Sequence, residues 1–450
     1  MGRLFGTDGI RGVANQNLDC TLAFKIGCAA ATVLRKDEGK KPLFLIGRDT
    51  RISGDMLECA LAAGLCACGA DVMRLGVLPT PAVAYLTVYN HADAGVVISA
   101  SHNPYEHNGI KIFSAEGFKL SDELEEAIED LILAEEPVPT KTHGEIGCIR
   151  EGGDQAQYYI DHLASTIEGD LSGLRVIADC ANGASSVTAR RLFEKVGLKA
   201  DFLSETPNGV NINVGCGSTH LEALSAAVRA GGYDIGVAFD GDADRCLAVD
   251  ENGEPVDGDQ MMAICAAVMR REGKLKNDGF VATVMSNIGL HKYCAQENVR
   301  ILCAPVGDRF VLEMMQKEGM MLGGEQSGHV IFLEHMTTGD GELTALQLMA
   351  ILKASGKKLS ELANAVTRYP QVLINVPGPV ANADKKALIA SPAVQQALRE
   401  GEAQLEGDGR ILLRPSGTEA LIRVMVEAGS EEKAQSVAEA IAKIVESAQN

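Results

Sequence analysis

Along the chain, short apolar runs end repeatedly in a polar or glycine-containing turn, and each is followed by a stretch whose apolar residues recur at helical spacing. Leu43–Ile46 precedes Gly47-Arg48-Asp49, Val96–Ile98 precedes Ser99-Ala100-Ser101, and Val176–Ala178 precedes Asp179. Ile235–Phe239 precedes Asp240, and Phe280–Met285 precedes Ser286. This rhythm predicts an α/β protein. Open α/β sheets bind ligands beyond the carboxyl ends of their strands, so these turns are where chemistry is to be sought. Among the helices, Ser121–Ala134 reads most clearly. Ser121 is placed to cap it, Asp122 and Glu123 suit its first turn, and Leu124, Ile128, Leu131 and Ile132 share one face.

Three breaks divide the chain. The Pro- and Gly-punctuated segment 136–153 reads as a linker, 250–257 as a second boundary, and 369–379, with Pro370, Pro377, Gly378 and Pro379, as a third. The expected domains are therefore 1–150, 151–253 and 254–369, all α/β, and 370–450, which differs. In that last stretch the alternation of Ile422-Arg423-Val424-Met425-Val426 predicts a half-exposed strand. A final helix from Glu431 places Val437, Ile441, Ile444 and Val445 on one face, giving an α+β unit. The similar β-α rhythm of the first three stretches hints at repeated domains.

Composition narrows the function classes. With 46% hydrophobic and 23% charged residues, the 450-residue chain can bury a sizeable core. Its 41 Lys+Arg against 61 Asp+Glu give a formal charge of −20, which argues against nucleic acid and anionic membranes as partners. Apolar stretches such as 60–70 and 261–269 fall short of the roughly 18 uncharged residues of a membrane span. The opening Met1–Gly6 has no signal pattern, and the expectation is a cytoplasmic protein. The 12 cysteines, several of them (Cys59, Cys66, Cys68, Cys265) inside apolar segments, read as reduced structural thiols.

Four loops carry candidate chemistry. Asp240-Gly241-Asp242-Ala243-Asp244-Arg245 offers three carboxylates at alternate positions, an oxygen-only set suited to a hard divalent cation, magnesium first. An EF-hand is excluded by Arg245, which stands where the sharp turn needs glycine. A phosphatase-type aspartyl nucleophile would want a nearby lysine and hydroxyl set that the loop lacks. Ser99-Ala100-Ser101-His102-Asn103-Pro104 places a hydroxyl on a tight turn. No Gly-x-Ser-x-Gly elbow accompanies it, so acyl transfer is disfavoured, whereas a serine beside a metal can carry a phosphoryl group. Arg414-Pro415-Ser416-Gly417-Thr418-Glu419, followed by Arg423, supplies guanidinium forks, hydroxyls and an open backbone suited to a phosphate dianion. Gly323–His329 sets Glu325, Gln326 and Ser327 between glycines, a lining for sugar hydroxyls. No Walker A run occurs.

In this order, over the whole chain, the four loops resemble those of the α-D-phosphohexomutase superfamily. The opening Gly6-Thr7-Asp8-Gly9-Ile10-Arg11-Gly12, the Gly-Glu-Gln-Ser-Gly-His loop and Thr337-Thr338-Gly339-Asp340-Gly341 point to its members that act on glucosamine phosphates. Ala243 departs from the glycine that many members carry. The resemblance implies four domains around a central cleft, three related α/β units and a more mobile α+β unit. It implies that Ser101 is the phosphoserine and that Ser101 with Asp240, Asp242 and Asp244 binds Mg2+. Arg11 and Arg245 are expected near the phosphoryl group, Glu325 and Ser327 on sugar hydroxyls. Arg414, Ser416, Gly417, Thr418 and Arg423 are expected on the distal phosphate, and Lys111 and His329 are the candidates for proton transfer. The implied reaction is reversible conversion of glucosamine 6-phosphate to glucosamine 1-phosphate through glucosamine 1,6-bisphosphate or another hexose 1,6-bisphosphate as activator. It would supply amino-sugar nucleotide and cell-wall precursor synthesis. The partner is then a small-molecule sugar phosphate, with a homodimer possible. The alternatives are a glucose- or mannose-directed mutase of the same superfamily and a non-catalytic phosphosugar-binding protein.

Overall fold

The computed structural model describes residues 4–6, 8–36, 39–416 and 420–449. Their contacts divide into two compact units: residues through Met285 together with Arg300–Asn364, and Ser286–Val299 together with Ala365 onward.

The first unit holds three sheets built on one plan. Across the first, the strands Ile10–Val13, His107–Ser114, Ala94–Ile98, Leu43–Arg48, Asp71–Val77 and Ile149–Glu151 lie in that order. The second runs Pro255–Val256, Cys246–Asp250, Ile235–Phe239, Arg175–Asp179, Lys199–Leu203, and the third Arg300–Ala304, Gly279–Thr283, Leu322–Gly324, Val330–Phe332. Each sheet pairs a parallel core with an antiparallel hairpin whose tip faces the same end. The hairpins are Ala94–Ile98 with His107–Ser114, Ile235–Phe239 with Cys246–Asp250, and Leu322–Gly324 with Val330–Phe332. The tips of these three hairpins carry Ser101, the three aspartates and Glu325–His329. A repeated topology thus sets three different chemistries at equivalent strand ends.

Fully buried strands such as Ile235–Phe239 explain why uninterrupted apolar runs were visible in the sequence. The expected strands form, with one shortened: the run from Phe280 is strand only to Thr283. The helix expected at 121–134 spans Asp122–Leu133, but the Ser121 hydroxyl makes no capping bond to it. The cysteines are free thiols, and Cys66, Cys68 and Cys265 are buried, whereas Cys59 is exposed because it lies on the outer face of the helix Gly54–Ala67.

The second unit contains the antiparallel sheet Gln371–Pro377, Leu421–Ala428, Gly409–Pro415, with Leu421–Ala428 central. Ile422, Val424 and Val426 pack with Val437, Ile441 and Val445 of the helix Glu431–Ser447, which Ser430 caps through the Lys433 N–H. Ile444 departs from the expected face and is 39% exposed at its rim. Met425, expected outward, is buried, because a central strand sets it between the cross-strand neighbours Leu373 and Leu412. The helix Ile288–Glu297 belongs to this unit: Glu427 accepts the Ile288 N–H at 2.8 Å, and Asn287 donates to the Tyr369 carbonyl at 2.9 Å. No helix among the described residues is long and apolar enough to cross a membrane.

Candidate active site

The aspartate loop is a tight hairpin tip, closed where Phe239 pairs with Cys246. Its turn requires a left-handed residue, and Ala243 takes that role at φ +56°. The added methyl group noted in the sequence therefore costs roughly 1 kcal/mol of backbone strain relative to glycine. Gly241 cannot be substituted so easily, since a Cβ there would lie 2.5 Å from the Ser101 carbonyl oxygen. Close approach of the two loops depends on its bare backbone.

Asp240, Asp242 and Asp244 are all buried, and each offers one oxygen within 4.8 Å of the others. Three carboxylates at that spacing repel one another. Burial, with Asp244 and Asp242 as like charges, drives the Asp240 carboxyl well above its ordinary range. Asp242 Oδ1 and Asp244 Oδ1 are buried without a hydrogen-bond partner. Such orphaned oxygens in an all-oxygen cluster fit a hard divalent cation, which would satisfy them and relieve the repulsion.

Ser101 is 1% exposed and directs its Oγ to Asp240 Oδ2 at 2.5 Å. Its backbone is left-handed at φ +52°, a conformation held from several sides. The Ser101 N–H donates to Ser99 Oγ at 2.9 Å, and that hydroxyl donates to Asp49 Oδ2 at 2.6 Å. The fully buried Arg51 pairs with Asp49 at 2.8 Å, donates to the Ser101 and Asn103 carbonyls at 2.8 Å each, and also reaches the Pro104 carbonyl. Asn213 donates to the same Ser101 carbonyl at 2.9 Å.

Cations crowd the nucleophile. Burial, then the guanidiniums of Arg245 and Arg11, push the neighbouring His102 down to about 4, so its ring is neutral at pH 7. The Nε atoms of Arg11 and Arg245 are buried without hydrogen-bond partners, leaving donors for an anion beside Ser101. Lys111 places its Nζ 2.8 Å from Asp242, 3.0 Å from Asp8 and 3.5 Å from Asp244. Burial opposes its charge, but those three carboxylates outweigh it and hold the ammonium well above the usual lysine range.

His329 is buried between Asp244, 3.7 Å from Nδ1, and Asp308, 3.7 Å from Nε2. Burial disfavours its charge, while Asp244, Asp308 and Glu325 raise its pKa overall. Its Nε2 also accepts the Gly339 N–H at 3.1 Å, which needs a lone pair there and favours the neutral ring with the proton on Nδ1. Gly339 allows this contact, because a Cβ would stand 2.4 Å from that nitrogen.

In the sugar loop, Glu325 accepts the Gly307 N–H at 3.1 Å and the Ser327 hydroxyl at 3.3 Å. Gln326 turns to Asp257, 3.2 Å away, the residue that caps the helix Gly258–Arg271. The side chain that marks the motif in sequence thus anchors the loop.

Ser101, Asp240, Asp242, Asp244, Lys111, Arg11, Arg245 and His329 therefore converge, with Glu325 and Ser327 on the next loop. Sequence reasoning missed Asp8 as a partner of Lys111, and it missed Lys119, which pairs with both Asp8 and Asp308. It also missed Arg51 and Asn213. Asp8 lies inside a motif already singled out and Arg51 adjoins one, but the contacts that matter, with Lys111 and with the Ser101 carbonyl, are long-range.

In the second unit, Arg414 and Arg423 face each other as register partners on neighbouring strands. Burial, then the like charge of Arg423, lowers the Arg414 pKa. Ser416 is buried, its N–H donating to the Leu421 carbonyl at 2.9 Å and its carbonyl accepting from Lys385 at 2.8 Å. Gly417 and Thr418 lie outside the described residues.

Comparison with known proteins agrees with this geometry. Family profiles described as phosphoglucomutase/phosphomannomutase domains I, II, III and C-terminal match residues 2–138, 157–253, 257–369 and 373–444. The phosphoglucosamine mutase of Carboxydothermus hydrogenoformans is 53% identical over 99% of this chain and 100% of its own. That of Acetivibrio thermocellus is 53% identical over 99% of each. A crystal structure of a phosphoglucomutase/phosphomannomutase family protein from Burkholderia thailandensis superposes with a TM-score of 0.81 at 26% identity, covering 99% of this chain and 97% of that one. With four matching domain profiles and relatives above half identity along its whole length, the chain belongs to the phosphoglucosamine mutase family within the phosphoglucomutase/phosphomannomutases.

Proposed function

We propose that this protein interconverts glucosamine 6-phosphate and glucosamine 1-phosphate by carrying a phosphoryl group on Ser101. The observation that carries the reading is the Ser101 Oγ at 2.5 Å from Asp240, inside a cluster of three buried aspartates and beside two guanidiniums with undirected donors. A binding protein needs neither a nucleophile nor that carboxylate cluster.

The free sugar hydroxyl attacks phosphorus, the bond from phosphorus to Ser101 Oγ breaks, and the hydroxyl proton passes to a base. The resulting 1,6-bisphosphate reorients, Ser101 Oγ attacks its other phosphorus, and the product leaves with a free hydroxyl where that phosphate stood. Arg11 and Arg245 hold the transferring group, and Lys111 and His329 handle the protons. Lys111, held as an ammonium well above the usual lysine range, keeps a positive charge that stabilises the departing oxygen. Asp240, Asp242, Asp244 and the phosphorylated Ser101 would hold Mg2+, whose charge neutralises the transferring phosphoryl oxygens when it is bound. Glu325 and Ser327 orient the sugar hydroxyls. Arg414 and Arg423 with Ser416, Gly417 and Thr418 take the phosphate that is not reacting. Glucosamine 1,6-bisphosphate or another hexose 1,6-bisphosphate primes the serine. A homodimer belongs to the same reading and rests on the family resemblance.

Intact-mass analysis after incubation with a hexose 1,6-bisphosphate tests the nucleophile. One phosphoryl group mapping to Ser101, absent from Ser101→Ala, is expected; a phosphoryl group on another residue, or none, would overturn the assignment.

A further inference from the structure

The loop that carries the three aspartates meets, on one side, the start of the helix Thr80–Tyr89 from the first sheet's region. That helix begins within Leu78-Pro79-Thr80-Pro81, where Pro79 is the cap residue and Pro81 has no N–H to satisfy. Thr80 supplies a donor that a helix start leaves without an internal partner, and its N–H goes to the Asp242 carbonyl oxygen at 2.9 Å. Its hydroxyl donates to Asp242 Oδ2 at 2.6 Å. Both residues are buried, Thr80 to 1% exposure and Asp242 to 0%. The same Oδ2 takes the Lys111 ammonium at 2.8 Å, while Oδ1 is buried without a hydrogen-bond partner.

One oxygen of Asp242 is thus doubly engaged and the other is left bare. A carboxylate free to turn about its Cβ–Cγ bond would have no reason to keep that division, since Lys111 alone could be followed by either oxygen. The Thr80 hydroxyl approaches from a different element than Lys111, and together with the backbone bond it fixes both the position of residue 242 and the plane of its carboxylate.

We infer that Thr80 is a positioning residue for the metal site: by holding Asp242 Oδ2 it presents Oδ1 to the cation and sets the affinity of the aspartate loop for divalent metal. This rests on the reading of Asp240, Asp242 and Asp244 as the metal ligands. Outer partners of ligating carboxylates contribute about 10–100-fold to metal affinity. Val matches Thr in shape and lacks only the hydroxyl donor, so the contribution can be isolated.

The test is Mn2+ binding to the full chain, followed by electron paramagnetic resonance of the free ion, with thermal melting measured alongside. Thr80→Val is expected to weaken Mn2+ binding by about 10–100-fold, and Thr80→Ser, which restores the donor, to stay within about threefold of the parent. Should the valine variant not fold, Thr80→Ala carries the same expectation. Equal Mn2+ affinity in the parent and the hydroxyl-deleted variant would overturn the role of Thr80, even if the melting temperature fell. A parent protein that binds no Mn2+ would instead overturn the metal reading beneath it.

Discussion

Two charged regions of this molecule are built on opposite terms. Around Ser101, carboxylates and cations alternate: Lys111 touches Asp8, Asp242 and Asp244, Lys119 joins Asp8 to Asp308, and Arg51 is enclosed by Asp49 and three carbonyls. In the sheet of the second unit, two guanidiniums stand opposite one another as cross-strand partners. Like charges directly opposed on a sheet are destabilising, and the Arg414 pKa is lowered by burial and then by the Arg423 charge. The first region is a centre whose opposite charges hold each other in place; the second sets two like charges side by side, as the phosphate-binding role proposed for it requires. Removing a charge should therefore unsettle the first region and leave the fold of the second intact.

The largest expected effect is chemical. Ser101→Ala should lower turnover by about 10⁴-fold or more while sugar phosphate still binds, read by coupled assay and by calorimetric titration. Next comes pH. The Asp340 carboxyl is pushed up to about 7 by burial, against the bonds it accepts from Leu343 and Tyr159. Between about pH 4 and pH 7 the unfolded chain ionises this group while the folded protein keeps the proton. Stability contributed here is present at low pH, falls by on the order of 4 kcal/mol across that window, and is level above it. Asp340→Asn should flatten that part of the curve of urea-unfolding free energy against pH. An unchanged difference between parent and variant at pH 5 and pH 8 would contradict it.

Arg51→Lys should cost about 3 kcal/mol, because a single ammonium cannot span the four acceptors that the buried guanidinium serves. Urea denaturation measures it, and turnover should fall with it as the Ser101 loop loosens. The smallest effect on folding belongs to the second region. Arg414→Gln should raise KM for the sugar phosphate by about 10–100-fold through loss of a charge-assisted contact. The same variant should leave unfolding free energy unchanged or higher by a few tenths of a kcal/mol. A clear destabilisation would break the contrast between the two regions.

What was legible in the sequence follows from which forces act locally. Buried strands announce themselves as apolar runs, and their ends named the Ser101 and Asp240 loops because a polar cluster after a strand has nowhere else to be. The Met425 burial was hidden, since alternation records only one face of a strand and not what its cross-strand neighbours cover. Arg51, Thr80 and Asn213 were invisible for a different reason. Each acts on a partner far along the chain, Thr80 on Asp242 across 162 residues, Asn213 on the Ser101 carbonyl across 112 and Arg51 on that carbonyl across 50, and the local sequence around each does not reveal that partner. Gln326 teaches the converse: it stood out as a motif residue beside Glu325 and Ser327, yet its amide is spent on Asp257 and the loop it anchors does the presenting.

The central claim is phosphoryl transfer through Ser101 on an amino sugar. It is tested most directly by ³¹P NMR of the protein with Mg2+ and a trace of hexose 1,6-bisphosphate, given glucosamine, glucose or mannose 6-phosphate in separate tubes. The account expects the 1-phosphate resonance to grow fastest from glucosamine 6-phosphate and not at all in Ser101→Ala. Faster turnover of glucose or mannose would contradict the substrate, and no 1-phosphate from any sugar with Ser101 phosphorylated would contradict the mechanism.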